Sequence, residues 1–161
     1  MSEKSAATGA GEKDEKREPR EKNALGEAMP DTVTLHIISD SRGVTARGVV
    51  NSAAVQFSSE RVRVSTLSGV SDIQQVAAYL DRYVEVPAET AVFHTVLDDD
   101  LRAEIRMLLN ERGIASVDLL GPSLKMLAQL LGEQPLDVPG LVVNRETVAE
   151  RAISADELAH A

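Results

Sequence analysis

The stretch VTLHIISDSRGVT, Val33 to Thr45, decides the fold class. Its first seven residues, Val33 to Ser39, are rich in β-branched side chains and read as a strand. The polar run Asp40-Ser41-Arg42-Gly43 ends that strand. Beyond it, Ala46, Val49, Val50, Ala53, Ala54 and Phe57 fall at the i, i+3, i+4, i+7 spacing of one apolar helix face. A strand that passes through a short polar loop into an amphipathic helix is the repeating unit of a parallel sheet.

The unit recurs downstream. Arg61 to Leu67 (RVRVSTL) alternates as a strand does, and Ser71 or Asp72 can cap a helix whose apolar face is Ile73, Val76, Leu80 and Val84. Thr90 to Leu97 (TAVFHTVL) is a third strand with the look of one buried on both sides. Asp98 to Asp100 open a helix carrying Leu101, Ile105, Leu108 and Leu109, with acids at its positive end. A short strand from Ala115 to Leu119 follows Gly113, and Gly121-Pro122 begins a helix with Leu124, Leu127, Leu130 and Leu131. Four strand–helix units with short connections imply an α/β fold: an open, mostly parallel, Rossmann- or flavodoxin-like sheet with helices on both faces. The expected strand order is 2-1-3-4, which places a crevice between strands 1 and 3 at their C-terminal ends.

Outward from this core the pattern changes. Residues 1–30 hold six basic and seven acidic residues and little that can pack, so they are expected to be a disordered charged tail. Residues 31–134 form the α/β domain. Residues 135–161 read as a linker marked by Pro135, Pro139 and Gly140, then the start of a truncated second region. Within it Glu146 to Ile153 is a weak helix, and Ser154 with Glu157 has the form of a capping box.

Composition excludes several functions. The net charge of −9 argues against broad electrostatic binding of nucleic acid. With no cysteine there is no disulfide framework, thiolate metal site or thiol nucleophile. No apolar run approaches the roughly 20 residues that span a bilayer, so no membrane is expected, and the N-terminus has no signal-peptide apolar segment. The expected location is cytoplasmic. With aromatics at only 2%, the core must be built from Val, Leu, Ile and Ala.

The candidate site residues cluster at strand ends. In the loop after strand 1, Ser39, Asp40, Ser41, Arg42, Gly43 and Thr45 combine hydroxyls, a charge, a turn-permitting glycine and a helix N-terminus, a set suited to an anion or phosphate. The same residues also serve simply to start a helix. His94 and Thr95 lie late in strand 3, where His94 is either an acid–base group or a core residue. Asp98 and Asp118 either hold a metal or position a nucleophile, or cap the helices that follow. No His/Asp/Glu cluster has metal-site spacing, so no metal site is assigned, and no catalytic residue is assigned. The chain has no G-x-x-x-x-G-K-[ST], no G-x-G-x-x-G and no G-x-S-x-G.

Four segments resemble one family. Ile37 to Ala46 (IISDSRGVTA) is similar to the I-S-D-S-T-G-E-T-A opening of the regulatory proteins of phosphoenolpyruvate synthase and pyruvate, phosphate dikinase. Phe93 to Asp98 (FHTVLD) with Leu101-Arg102, Val117 to Pro122 (VDLLGP) and Pro139-Gly140-Leu141 resemble later segments in the same order and spacing. The resemblance covers residues 33 to about 143, the N-terminal domain. It implies a bifunctional serine/threonine kinase and pyrophosphorylase: ADP is the donor that phosphorylates a threonine of the dikinase or synthase, and inorganic phosphate removes that phosphate with release of pyrophosphate. It also implies nucleotide binding (ADP or ATP) and pyruvate, phosphate dikinase or phosphoenolpyruvate synthase as partner; whether the chain forms a homodimer is left open by the sequence. Arg42 stands where the family has Thr, and Val44 where it has Glu. The helix after the linker lacks the family's aspartate–tyrosine pair, and the family's nucleotide loop, G-V-S-x-x-x-K-T, would follow Ala161. The alternative is a non-catalytic relative that binds the dikinase or an anionic ligand. A phosphate-receiver domain ranks below both, since it needs an acidic pocket and a late lysine, whereas this chain offers Asp40 alone and no such lysine.

Overall fold

A computed structural model describes residues 28–57 and 59–141, together with Lys22, Gly26 and Ser154. The chain divides into two units, Met1–Asp31 and Thr32–Ala161. In the first, Lys22 and Ala28 form an isolated antiparallel bridge, and most of the expected disordered tail lies outside the described residues. The helix expected at Glu146 to Ile153 and the capping box after it also lie outside them, apart from Ser154.

In the second unit strands and helices alternate: β1 (Val33–Ser39), α1 (Val44–Ala54), β2 (Val62–Leu67), α2 (Ile73–Tyr83), β3 (Thr90–Thr95), α3 (Asp99–Glu111), β4 (Ala115–Asp118) and α4 (Gly121–Leu131). Single 3-10 turns at Ser59–Arg61 and Pro87–Glu89 lead into β2 and β3. The sheet has the order β2-β1-β3-β4, as expected, and every pairing is parallel. Register is fixed across β1, with Ile38 beside Leu67 on one side and beside His94 on the other.

Alternation in β1 explains why the sheet is covered twice. Ile37 and Ile38 are consecutive, so they point to opposite faces, and both are fully buried. Ile38 joins Val92 and Val96 against Val76 and Leu80 of α2 and Ile105 and Leu109 of α3. Ile37 packs with Ala46 and Val50 of α1, supported by Leu35, Phe93 and Leu119. Each such side chain contributes about 1.5–3 kcal/mol of burial. Asp72 caps α2 through the N–H of Gln75 at 3.0 Å, and Asp98 caps α3 through that of Leu101 at 2.6 Å.

Two helices bury less than their periodicity promised. In α1 only Ala46 and Val50 are buried; Val49 is exposed, and Phe57 lies beyond the helix end in solvent. In α4 the leucine face is largely open: Leu127, Leu130 and Leu131 are all exposed, and Gly121 alone is buried. Periodicity reports an apolar face but not whether a partner covers it. No helix among the described residues is long and apolar enough to cross a membrane.

Candidate functional site

The loop leaving β1 turns sharply because of Gly43, whose backbone is left-handed at φ 68° and ψ 20°. A Cβ there would also stand 3.1 Å from Ile37 Cγ2 and 3.3 Å from Thr66 Cγ2. Glycine at this N-cap provides no side-chain acceptor, and the first turn of α1 contains no acidic residue. The N–H groups of Val44, Thr45 and Ala46 have no intrahelical acceptors. The positive end of α1 therefore faces outward without a cap.

The loop is anchored on both sides. The N–H of Leu97 donates to Asp40 Oδ2 at 2.6 Å, and the N–H of Asp40 donates to the Thr95 carbonyl at 3.4 Å. Ser39 Oγ accepts from the Ser41 N–H at 3.1 Å and lies 3.3 Å from Ser41 Oγ. The Ser41 carbonyl accepts from Gly69 N–H at 2.9 Å, and the Ser39 carbonyl from Val70 N–H at 3.0 Å. These bonds hold the C-terminal ends of β1, β2 and β3 in one arrangement.

Between them opens a cleft of about 640 Å³, at the crevice that strand order 2-1-3-4 requires. Asp40, Ser41, Arg42, Gly43, Thr45 and Thr95 all line it. Ser39 is fully buried beneath, where it supports the loop through Ser41. The opposite wall is apolar, with Leu120 and Leu124 from the start of α4 and Leu136, Val138 and Leu141 from the segment beyond it. Sequence reading took residues 135–141 as linker and did not anticipate that they line the cleft. A Cβ added at Gly140 would stand 3.7 Å from Ser41 Cβ, and Pro139-Gly140, a turn signal, was the available hint.

His94, Asp98 and Asp118 are not brought to this cleft. Asp98 is the α3 cap described above. Asp118 Oδ1 accepts from the N–H groups of Leu120 at 3.1 Å and Gly121 at 2.8 Å, so the VDLLGP segment ties β4 to the start of α4. Gly121 is required because a Cβ would collide with Asp118 Oδ2 and stand 2.9 Å from Arg102 Nε. Arg102, only 8% exposed, was missed by sequence reading. It donates to the carbonyls of Val96 and Leu97 and to Asp99 Oδ1, with Nε 3.6 Å from Asp118 Oδ2. Together these bonds join the end of β3, the first turn of α3 and the end of β4.

His94 is buried on this side of the sheet, with Nδ1 4.0 Å from Asp118 Oδ1 and without a hydrogen-bond partner. Burial pulls its pKa below the ordinary 6.5; Asp118 acts in the opposite direction, and Arg102 and Arg106 reinforce the lowering. His36 is likewise buried and lowered by burial, with Nδ1 2.7 Å from the Tyr79 hydroxyl. That hydroxyl donates to Ser65 Oγ at 2.7 Å. Burial raises the Tyr79 pKa, the bond to Ser65 offsets part of the rise, and Tyr83 adds to it. Among the described residues no group of three or more His, Asp or Glu is placed to hold a metal ion.

Residues 35–160 match the model of the family described as kinase/pyrophosphorylase. Three relatives carry the provisional name pyruvate, phosphate dikinase regulatory protein. The one from Chloroflexus aurantiacus is 31% identical over 123 residues, 76% of this chain and 43% of its own length. The one from Halalkalibacterium halodurans is 29% identical over 137 residues, 84% and 48% respectively. The one from Bdellovibrio bacteriovorus is 34% identical over 109 residues, 68% and 38%. The chain spans less than half the length of these relatives. The matched region contains the whole sheet from Leu35 onward, the β1 loop, the cleft and the Asp118 clasp, and on that match the chain belongs to the kinase/pyrophosphorylase family.

Proposed function

We propose that this chain supplies the substrate-facing α/β portion of a regulatory phosphotransferase that acts on pyruvate, phosphate dikinase or phosphoenolpyruvate synthase. In the forward direction the β-phosphoryl of ADP passes to a threonine hydroxyl of the target, leaving AMP. In the reverse direction orthophosphate takes that phosphoryl group, restoring the hydroxyl and leaving pyrophosphate. A dianion added to the target's own catalytic region is a charge change large enough to switch it off. One observation carries the reading: the SDSRGVT loop, within the family match, forms the floor of the cleft. Ser41, Arg42, Gly43, Thr45 and Thr95 are the residues of this chain proposed to face the substrate there.

A second reading is supported by Arg42 and Val44, which stand in place of Thr and Glu in the family's signature loop. On that reading the chain binds the dikinase without transferring phosphate. Incubating the chain with purified dikinase and ADP separates the two. A phosphothreonine on the dikinase, found by tandem mass spectrometry with loss of its activity, supports transfer. A stable complex without modification supports binding alone. Neither complex nor modification refutes both.

A further inference from the structure

His94 Nδ1 is one of two buried side-chain nitrogens without a hydrogen-bond partner among the described residues. Its ring is 2% exposed, and Nδ1 stands 4.0 Å from Asp118 Oδ1, too far for a hydrogen bond. A proton on Nδ1 would be drawn onto the carboxylate, whereas two lone-pair carriers keep apart. The separation therefore fits a neutral ring protonated at Nε2, with Nδ1 bare. Asp118 Oδ1 is engaged elsewhere, by the N–H groups of Leu120 and Gly121. The helix α4 leans on that attachment, because Gly121 is its one buried residue. Leu120 and Leu124, at the attached end, form part of the apolar wall of the cleft.

We infer that His94 is a proton-operated latch: a proton taken up at Nδ1 makes a new donor that competes for Asp118 Oδ1 with the N–H groups of Leu120 and Gly121, and so releases the start of α4 and the Leu120–Leu124 wall of the cleft. The inference does not depend on what the cleft binds. The charged groups acting on His94 are Asp118 from β4 and Arg102 and Arg106 from α3. On the other sides Ile38 of β1 stands beside it, and α2 brings Val76, Tyr79 and Leu80 to this face of the sheet, with Tyr79 bonded to His36. An imidazolium at this position is a further cation in a site that already holds Arg102 against Asp118. Burial holds the His94 pKa below its ordinary value, Asp118 opposes that, and the two arginines add to the lowering. The latched form thus binds a proton less tightly than a form with the ring in water. Below pH 6.5 each proton favours release, by up to about tenfold per pH unit until the folded-state value is reached.

The test is amide hydrogen exchange of the full 161-residue chain, read by NMR from pH 7.5 to pH 5, with each rate divided by the intrinsic rate at that pH. The control is the Gln75 N–H, which Asp72 Oδ1 holds in a cap on α2. Protection of Leu120 and Gly121 should fall by about tenfold over the range, while that of Gln75 changes less than about twofold. The β1 amides should stay the better protected throughout, because release is local. His94→Gln, uncharged at every pH, should flatten the response at Leu120 and Gly121. Ring-nitrogen resonances of the parent, which need no substitution, should show the Nε2–H tautomer at pH 7.5. A fall at Gln75 matching that at Leu120 and Gly121, or an equal loss of protection in β1, overturns the latch. So does an Nδ1–H tautomer at pH 7.5, or an undiminished response in a folded His94→Gln. Should that variant not fold, the exchange and ring resonances of the parent decide alone.

Discussion

Replacing Asp118 tests whether the VDLLGP segment acts as a clasp rather than as a ligand site. Asp118→Ala removes the acceptor of two N–H groups, those of Leu120 and Gly121, and the carboxylate beside Arg102. With the Asp118 side chain 20% exposed, water replaces part of what is lost, so each N–H bond is worth about 1 kcal/mol. Arg102 keeps the carbonyls of Val96 and Leu97 and the Asp99 carboxylate, so losing its fourth neighbour costs about 1 kcal/mol. The sum is about 3 kcal/mol, a large fraction of the roughly 5–15 kcal/mol of an ordinary domain. Asp118→Asn keeps an acceptor at Oδ1 and loses only charge, so it should cost about 1 kcal/mol. Urea unfolding followed by far-ultraviolet circular dichroism reads both values. Gly121→Ala supplies a second leg, because its methyl would collide with Asp118 Oδ2. It should be markedly cheaper in the Asp118→Ala background than alone, and a double-mutant cycle measures that coupling. The reasoning is refuted if Asp118→Ala unfolds within about 0.5 kcal/mol of the parent, or if Asp118→Asn is as costly as Asp118→Ala.

Three further outcomes are expected. Gly43→Ala forces a left-handed residue and a methyl against Ile37 and Thr66, and should lower stability by about 2–4 kcal/mol in the same urea assay. Tyr79→Phe leaves His36 without its partner at Nδ1, while Nε2 is already unpaired; it should cost about 1–3 kcal/mol. Both buried histidines have pKa values lowered by burial, so below pH 6.5 the unfolded chain binds protons that the folded chain does not. Their contribution is fully present above pH 6.5 and is lost as pH falls toward the folded-state values, at up to about 1.4 kcal/mol per pH unit for each histidine. Urea midpoints measured from pH 7.5 down to pH 5 should show that decline, and replacing His94 with Gln should reduce its slope.

The fold was legible because each strand and helix carries its own period. VTLHIIS gives a buried strand and Ala46 with Val50 one helix face, while short connections leave parallel pairing as the economical topology. Strand order followed, and with it the position of the cleft. The loop residues Asp40 to Thr45 were legible as cleft residues for the same reason, since they occupy the C-terminal end of β1.

Side-chain direction was harder. His94 and Thr95 are adjacent in sequence and equally close to the strand end, but a strand turns successive residues to opposite faces. Thr95 therefore lines the cleft, and His94 faces Arg102 and Asp118. Asp98 and Asp118 each precede a helix, and a carboxylate there is equally suited to capping it or facing a ligand. Only the distances to Leu101, Leu120 and Gly121 decide. Arg102 was quoted only within the family resemblance and its burial gave no signal, because an arginine in an amphipathic helix reads as solvent-facing, and its burial depends on carbonyls at the end of another strand. The exposed leucines of α4 show the converse: the apolar face was read correctly, but a single chain's periodicity cannot show what covers it.

The central claim is that the face at the C-terminal ends of β1 and β3 receives the target enzyme. Hydrogen–deuterium exchange of the chain, alone and mixed with purified pyruvate, phosphate dikinase, tests it most directly. Slower exchange at Ser39–Thr45 and Leu120–Leu124, with α2 and the outer turns of α3 unchanged, is the predicted result. Protection confined to α2 and α3, or no protection while the dikinase is in excess, would contradict it.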